Sequence, residues 1–320
     1  MEKLRGKQGT WTFDEEKVVI DYATGWLASS LNKALARAEV PLRSVAGVDF
    51  RARGTGAKKK GWEMRLRIRG QADPFAAVGA AMSGEDPFLL SGDAKTELVA
   101  EYHADQLRLL AERAAAQGAP PADAPARLVA PLPLHIQVHE GTAAFDGSSL
   151  VLSWTSEATK EKRSAQRREF PLERIAKVEW NPSDGWDYGV LRVLAEGGAP
   201  PKKPVPAKRD LSCLLFGEGG EQAQALLMAA TVTAYLWAAG SGRPEADEGA
   251  AALSSGGEAP AIGAGGGPEG DDGADGSGDD IDPESRIVMA RIRKLGELHA
   301  EGLLTDEEFS AKKAELLERL

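Results

Sequence analysis

VPLRSVAGVDF, residues 40–50, and FPLERIAKVEW, residues 170–180, are two copies of one pattern. Pro41 and Pro171, Leu42 and Leu172, Ala46 and Ala176, and Val48 and Val178 are identical at an offset of 130 positions. Upstream, GTWTFD at 9–14 recurs as GTAAFD at 141–146, at an offset of 132. Two matches in the same order indicate a duplicated domain in which only a short loop changed length.

Both copies alternate apolar and polar residues in short runs, at 17–22, 44–50, 64–69 and 150–154. Period two bounded by Gly, Pro, Ser and Asp is the mark of half-buried antiparallel strands. A helical stretch follows in each copy, at 96–116 and 221–237, so the fold class is α+β. The first helix is read with an apolar stripe of Val99, Tyr102, Leu107 and Leu110 against Glu101, Asp105, Arg108 and Glu112. The second, AQALLMAATVTAYLWAA, is apolar on nearly every side and lacks the basic face of an interfacial helix. It is expected to pack between the two copies.

The net charge of -10 over 320 residues divides unevenly. Residues 244–285 hold twelve acidic side chains and no basic one, leaving +2 on the remainder. The stretch 241–285, rich in Gly, Ser and Ala without an aromatic, cannot offset its ordering entropy and is expected to be a disordered acidic linker. Periodicity resumes with Ile292, Leu295 and Leu298, a stop at Gly302, a capping box at 305–308, and a second helix carrying Phe309, Leu316 and Leu317. A hairpin this short has too little core to stand alone and needs a partner, either a second copy or another protein. Its contact residues are read as Ile292, Leu295, Leu298, Leu303, Phe309, Leu316 and Leu317.

The charged residues 1–7 lead into no apolar segment, so no secretory signal is expected. The single cysteine, Cys213, can form neither an internal disulfide nor a cysteine zinc cage, as suits a reducing cytoplasm. The most apolar run, 225–239, is too short to span a bilayer.

Residues 292–317, IRKLGELHAEGLLTDEEFSAKKAELL, resemble the SHOCT family, the bacterial short C-terminal domain, in their spaced leucines, Glu-Glu-Phe triplet and a Lys before the final leucines. The paired GTxxFD and hydrophobic-Pro-Leu blocks resemble the actinobacterial family catalogued as domain of unknown function forty-four twenty-nine. Together these cover nearly all of the chain outside the acidic linker. The resemblance implies two tandem PH-like antiparallel barrels, each closed by a C-terminal helix, and an appended hairpin that mediates oligomerisation. It carries no catalytic residues. The resulting organisation is repeat one at 1–118, a Pro/Ala connector at 119–130, repeat two at 131–240, the linker at 241–285 and the hairpin at 286–320.

The densest candidate site is basic. Alternation turns Arg51 and Arg53 outward from one strand and Arg65, Arg67 and Arg69 outward from the next, with Lys58, Lys59 and Lys60 in the connection and only Asp49 and Glu63 nearby. Like charges across paired strands are destabilising, so either scattered counter-charges solvate this face or it binds an anion. Repeat two, with Glu179, Asp184, Asp187 and a lone Arg192 over 178–194, shows that the fold does not require the basic face. An electrostatic lid formed by the acidic linker is one candidate anion; its deletion would then raise affinity for anionic ligands at low salt. Lys160, Lys162, Arg163, Arg167 and Arg168 are read as a solvated loop. Nucleic acid is disfavoured, because it usually calls for aromatics interleaved with the cations and Trp62 is the only aromatic in the loop. His135 and His139, four residues apart on a strand, lie about 13 Å apart and cannot share a metal. GTGAKKKG at 54–61 lacks the P-loop spacing, and neither a nucleophile elbow nor a zinc-protease helix occurs.

These features favour a non-enzymatic cytoplasmic binding or scaffolding protein without cofactor or metal. The alternatives are a peripheral membrane protein that binds anionic lipid through the basic face, and a hydrolase whose site is assembled from distant residues.

Overall fold

A computed structural model describes residues 1–25, 28–53, 61–197 and 205–242. Repeat one begins with β1 (Glu2–Arg5), β2 (Gly9–Phe13), β3 (Lys17–Tyr22), α1 (Ser30–Leu35) and β4 (Arg37–Pro41); the four strands form one antiparallel sheet in sequence order. Alternation decides the faces: Trp11 and Phe13 of β2 and Val18 and Ile20 of β3 are buried. Pro41 has no N–H with which to extend the ladder, and a 3-10 turn over Leu42–Ser44 carries the chain to a second sheet. That sheet is β5 (Val45–Arg53), β6 (Gly61–Ile68) and β7 (Leu89–Gly92), again in sequence order. The β6–β7 connection holds the single turn α2 (Pro74–Ala77), and α3 (Glu97–Ala115) ends the repeat.

The connector contains α4 (Ala124–Arg127), and it buries Leu128, Val129 and Ala130 instead of running free. Repeat two then reproduces the plan: β8 (Leu134–Val138), β9 (Gly141–Phe145), β10 (Ser149–Trp154), α5 (Lys160–Ala165) and β11 (Arg167–Pro171), followed by β12 (Ile175–Asn181), β13 (Gly189–Ala195), β14 (Cys213–Phe216) and α6 (Gly220–Ala238). Irregular features recur with the regular ones. Both fifth strands carry a register shift at the same place, Val45/Gly47 and Ile175/Lys177. Ala36 and Gln166, each ending the short helix of its repeat, both hold a positive φ near 60°.

The four- and three-stranded sheets of each repeat share no ladder, so among the described residues there is no closed barrel. The expected barrel is corrected to two antiparallel sheets and a terminal helix, because the 3-10 turn after β4 carries the chain out of the first sheet and no described strand of one sheet pairs with a strand of the other. The apolar stripe of α3 is also corrected. Ala100, His103, Ala104, Leu107, Ala111 and Ala114 face inward, while Val99 and Tyr102 are exposed. A row of alanines lets the helix backbone approach β5 closely, and larger side chains in that row would hold it away.

Helix α6 packs against β8 and β12 of its own repeat and against α1 and α2 of repeat one. Every residue from Ala225 to Ala234 is buried. Two neighbours on opposite sides explain why its sequence is apolar all round. No helix of the described residues is long and apolar enough to cross a membrane. The acidic linker and the hairpin, with Ile292, Leu295, Leu298, Leu303, Phe309, Leu316 and Leu317, lie outside the described residues, as do Lys58, Lys59 and Lys60.

Candidate functional site

The β5–β6 ladder sets Asp49 opposite Arg65, Arg51 opposite Glu63 and Gly47 opposite Arg67. Trp62, Met64 and Leu66 point into the core, so Arg65 and Arg67 must point out. Arg67 lies over Gly47, where a side chain would collide with the guanidinium, and its Nε is 3.2 Å from Asp49. Arg65 Nε pairs with Asp86 at 2.6 Å. Arg51 is exposed, and Arg53 closes β5. Arg69 departs from the expected row: it follows the end of β6, is half-buried, and its Nε has no hydrogen-bond partner among the described residues.

The face is thus an alternation of guanidinium and carboxylate groups, less cationic than the sequence suggested. Asp86 makes the difference. It lies 18 residues beyond the end of β6, in the β6–β7 connection, and the turn over 86–88 brings it back to Arg65, with Phe88 N donating to its Oδ1 at 2.9 Å. Burial raises the Asp86 carboxyl pKa, and Arg65 opposes that rise. A cleft of ≈ 370 Å³ opens between β6 and the connection, lined by Arg65, Arg67, Asp73, Phe75, Asp86 and Phe88 among others. Asp73 caps α2 by accepting from Ala76 N at 3.0 Å. Although half-buried by surface area, it is crowded enough that desolvation pushes its carboxyl up to about 6.

Repeat two separates framework from specialisation. Aligned through the ladders, Arg192 stands where Arg65 does, and Asp210 stands where Asp86 does. Ser212 N donates to Asp210 Oδ1 at 2.9 Å, the same turn as at Asp86. Arg192 Nε is 3.7 Å from Asp210 and donates to Cys213 Sγ at 3.1 Å. The Arg–Asp pair therefore belongs to the fold. Arg51 and Arg67 do not, because their counterparts are Asn181 and Leu194.

The basic loop expected at 160–168 is instead α5 and the start of β11, and one of its cations is internal. Lys162 is fully buried, with Nζ 2.7 Å from Glu140 Oε2, which also accepts from Leu215 N at 2.9 Å. Helix α5 turns Lys162 toward the core while Lys160 and Arg163 remain in solvent. The sequence signal for this pair was available in repeat one, which has Gln8 and Asn32 at the corresponding places. His135 is exposed on β8, and His139, beyond its end, stacks on Tyr188. Among the described residues no group of His, Cys, Asp and Glu is arranged to hold a metal ion. Burial pushes the Cys213 thiol up to about 12.

The fold and this face define a tandem-repeat α+β protein whose two copies share a frame and differ in their outward side chains. The chain belongs to the family described as domain of unknown function DUF4429, which matches it twice, over residues 11–108 and 143–233. Residues 290–317 match the short C-terminal domain, SHOCT. No curated protein matches the chain.

Proposed function

We propose that the protein is a non-enzymatic binding and scaffolding protein of the cytoplasm. Its repeats act as PH-like modules for ligand or protein recognition, and the segment 286–320 oligomerises the chain or recruits a partner. The succession of four strands, three strands and a terminal helix in both repeats supports the PH-like reading. The recognition role rests on one observation: Arg51 and Arg67 stand on a frame that repeat two builds with Asn181 and Leu194 in their place. Side chains that the fold does not need are there to meet something outside it. Their alternation with Asp49, Glu63 and Asp86 favours a partner presenting both charge signs, as a polypeptide does, over a uniform polyanion.

The non-enzymatic reading is supported by how the reactive side chains are used. Lys162 is locked to Glu140, and a buried thiol with a raised pKa is a poor nucleophile. Sedimentation with anionic vesicles, comparing wild type with Arg51→Glu/Arg67→Glu, tests the ligand class. Salt-sensitive vesicle binding lost in the variant would replace the polypeptide reading with the lipid one. Light scattering on the chain with and without 286–320 tests assembly: the mass per particle falls on truncation, and an unchanged mass removes the oligomerising role from that segment.

A further inference from the structure

The hairpin turn of repeat two faces outward with two large aromatic side chains. Trp186 is 50% exposed and Tyr188 is 44% exposed. They are not a loose tip. Ser183 N donates to Gln222 Oε1 of α6 at 3.1 Å, Ser183 Oγ donates to the Asp187 carbonyl at 2.8 Å, and Trp186 N and Asp187 N both donate to Asp184 Oδ1. Tyr188 is steadied on one side by His139, with ring centroids 4.6 Å apart and planes 14° from parallel. The bonded turn fixes the backbone that carries both aromatics, and the His139 stack fixes the Tyr188 ring as well, so less freedom is lost on covering them than at a loose loop tip, which is the property of an interface anchor.

Charge identifies what would cover them. Residues 178–191 contain Glu179, Asp184 and Asp187 and no Lys or Arg. The flanking cations are engaged: Lys177 lies 3.6 Å from Glu179, and Arg192 pairs with Asp210 and Cys213. The faces of Trp and Tyr rings carry negative potential and attract ammonium and guanidinium groups. We propose that the turn at 182–188 is a docking surface for a lysine- or arginine-bearing polypeptide segment, with Trp186 and Tyr188 as anchors and Asp187 supplying charge. This surface belongs to repeat two, so it stands or falls separately from the repeat-one face.

The test is fluorescence anisotropy of the full chain with a labelled Gly-Lys alternating peptide of four lysines, beside the same peptide with glutamates. The lysine peptide binds saturably and more weakly at high salt, and the glutamate peptide does not bind. Trp186→Ala weakens binding by about tenfold, Trp186→Phe by less, and Asp187→Asn by about threefold. The acidic linker also attracts lysines, so the variants decide: equal affinity for wild type and Trp186→Ala overturns the proposal. Sedimentation velocity completes the test. Self-association that disappears in Trp186→Ala, without effect on peptide binding, assigns the surface to a second copy and also overturns it. Far-ultraviolet circular dichroism and thermal melting show that each variant keeps its fold.

Discussion

Gln8 of repeat one and Glu140 of repeat two occupy the same turn and accept the same backbone hydrogen bond, from Ser91 N at 2.8 Å and from Leu215 N at 2.9 Å. The short helices behind them, α1 and α5, carry Asn32 and Lys162 at matching positions. Repeat one meets the need with a neutral amide, and α1 is held by the packing of α6 against it. Repeat two uses a carboxylate, which is tolerable in the interior only because Lys162 neutralises it. One frame therefore anchors equivalent helices in two physical ways, by apolar contact and by a buried ion pair. The ion pair adds little net stability over a neutral substitute, yet losing half of it is costly, because the remaining charge has no water to turn to.

The largest expected effect tests that contrast. Lys162→Met leaves Glu140 charged and buried and should lower unfolding free energy by about 3–5 kcal/mol in urea titrations. The double variant Glu140→Gln/Lys162→Asn, which imports the residues of repeat one, should lose markedly less. Equal losses would mean that shape and not charge sets the cost. Next in size is Gly141→Ala, where a methyl group would meet the Ser153 carbonyl on the neighbouring strand. A loss of about 1–3 kcal/mol is expected from such overpacking, and Gly9→Ala, facing the Asp21 carbonyl, should behave likewise.

A smaller effect separates the repeats by pH. Asp73 lies in the β6–β7 connection of repeat one, while residues 197–209 of repeat two contain no carboxylate. Its folded pKa of about 6 exceeds the ordinary 3.8, so the folded state holds the proton more tightly. Its contribution to stability is therefore full below about pH 4, declines as pH rises toward 6, and is flat beyond. Asp73→Asn should remove that slope from a series of urea midpoints between pH 4 and 7; an unchanged slope would assign it elsewhere. The smallest effect is expected from the shared surface pair. Arg65→Ala should cost about 1 kcal/mol, and Arg192→Ala less, since the Arg192–Asp210 distance is 3.7 Å against 2.6 Å for Arg65–Asp86.

Much of the frame is legible in the sequence. The repeated blocks announced the duplication, period-two runs marked the strands, and the all-apolar helix foretold its place between the copies. The outward Arg65 and Arg67 are legible in the alternation, while Arg69 leaves the row because β6 ends at Ile68, and the neutralisation is not legible, since Asp86 is distant in sequence from Arg65. In α3 the pattern finds Leu107 and Leu110, which pack on the core, but places Val99 and Tyr102 wrongly and misses the alanine row, because alanine is a weak hydrophobic signal although rows of alanine permit the closest packing. Lys162 reads as a solvated cation because composition cannot report which face of a six-residue helix points inward.

The sequence by itself determined the duplication, the α+β class, the acidity of 244–285 and the family to which the chain belongs, since all of these reside in local pattern and composition. Only the tertiary structure decided that the two sheets of each repeat share no strand ladder, that Arg65 and Arg192 are framework while Arg51 and Arg67 are not, and that Lys162 lies inside. Those outcomes depend on which distant groups meet across ladders and turns. The energy of a charge is set by what surrounds it, not by its neighbours along the chain.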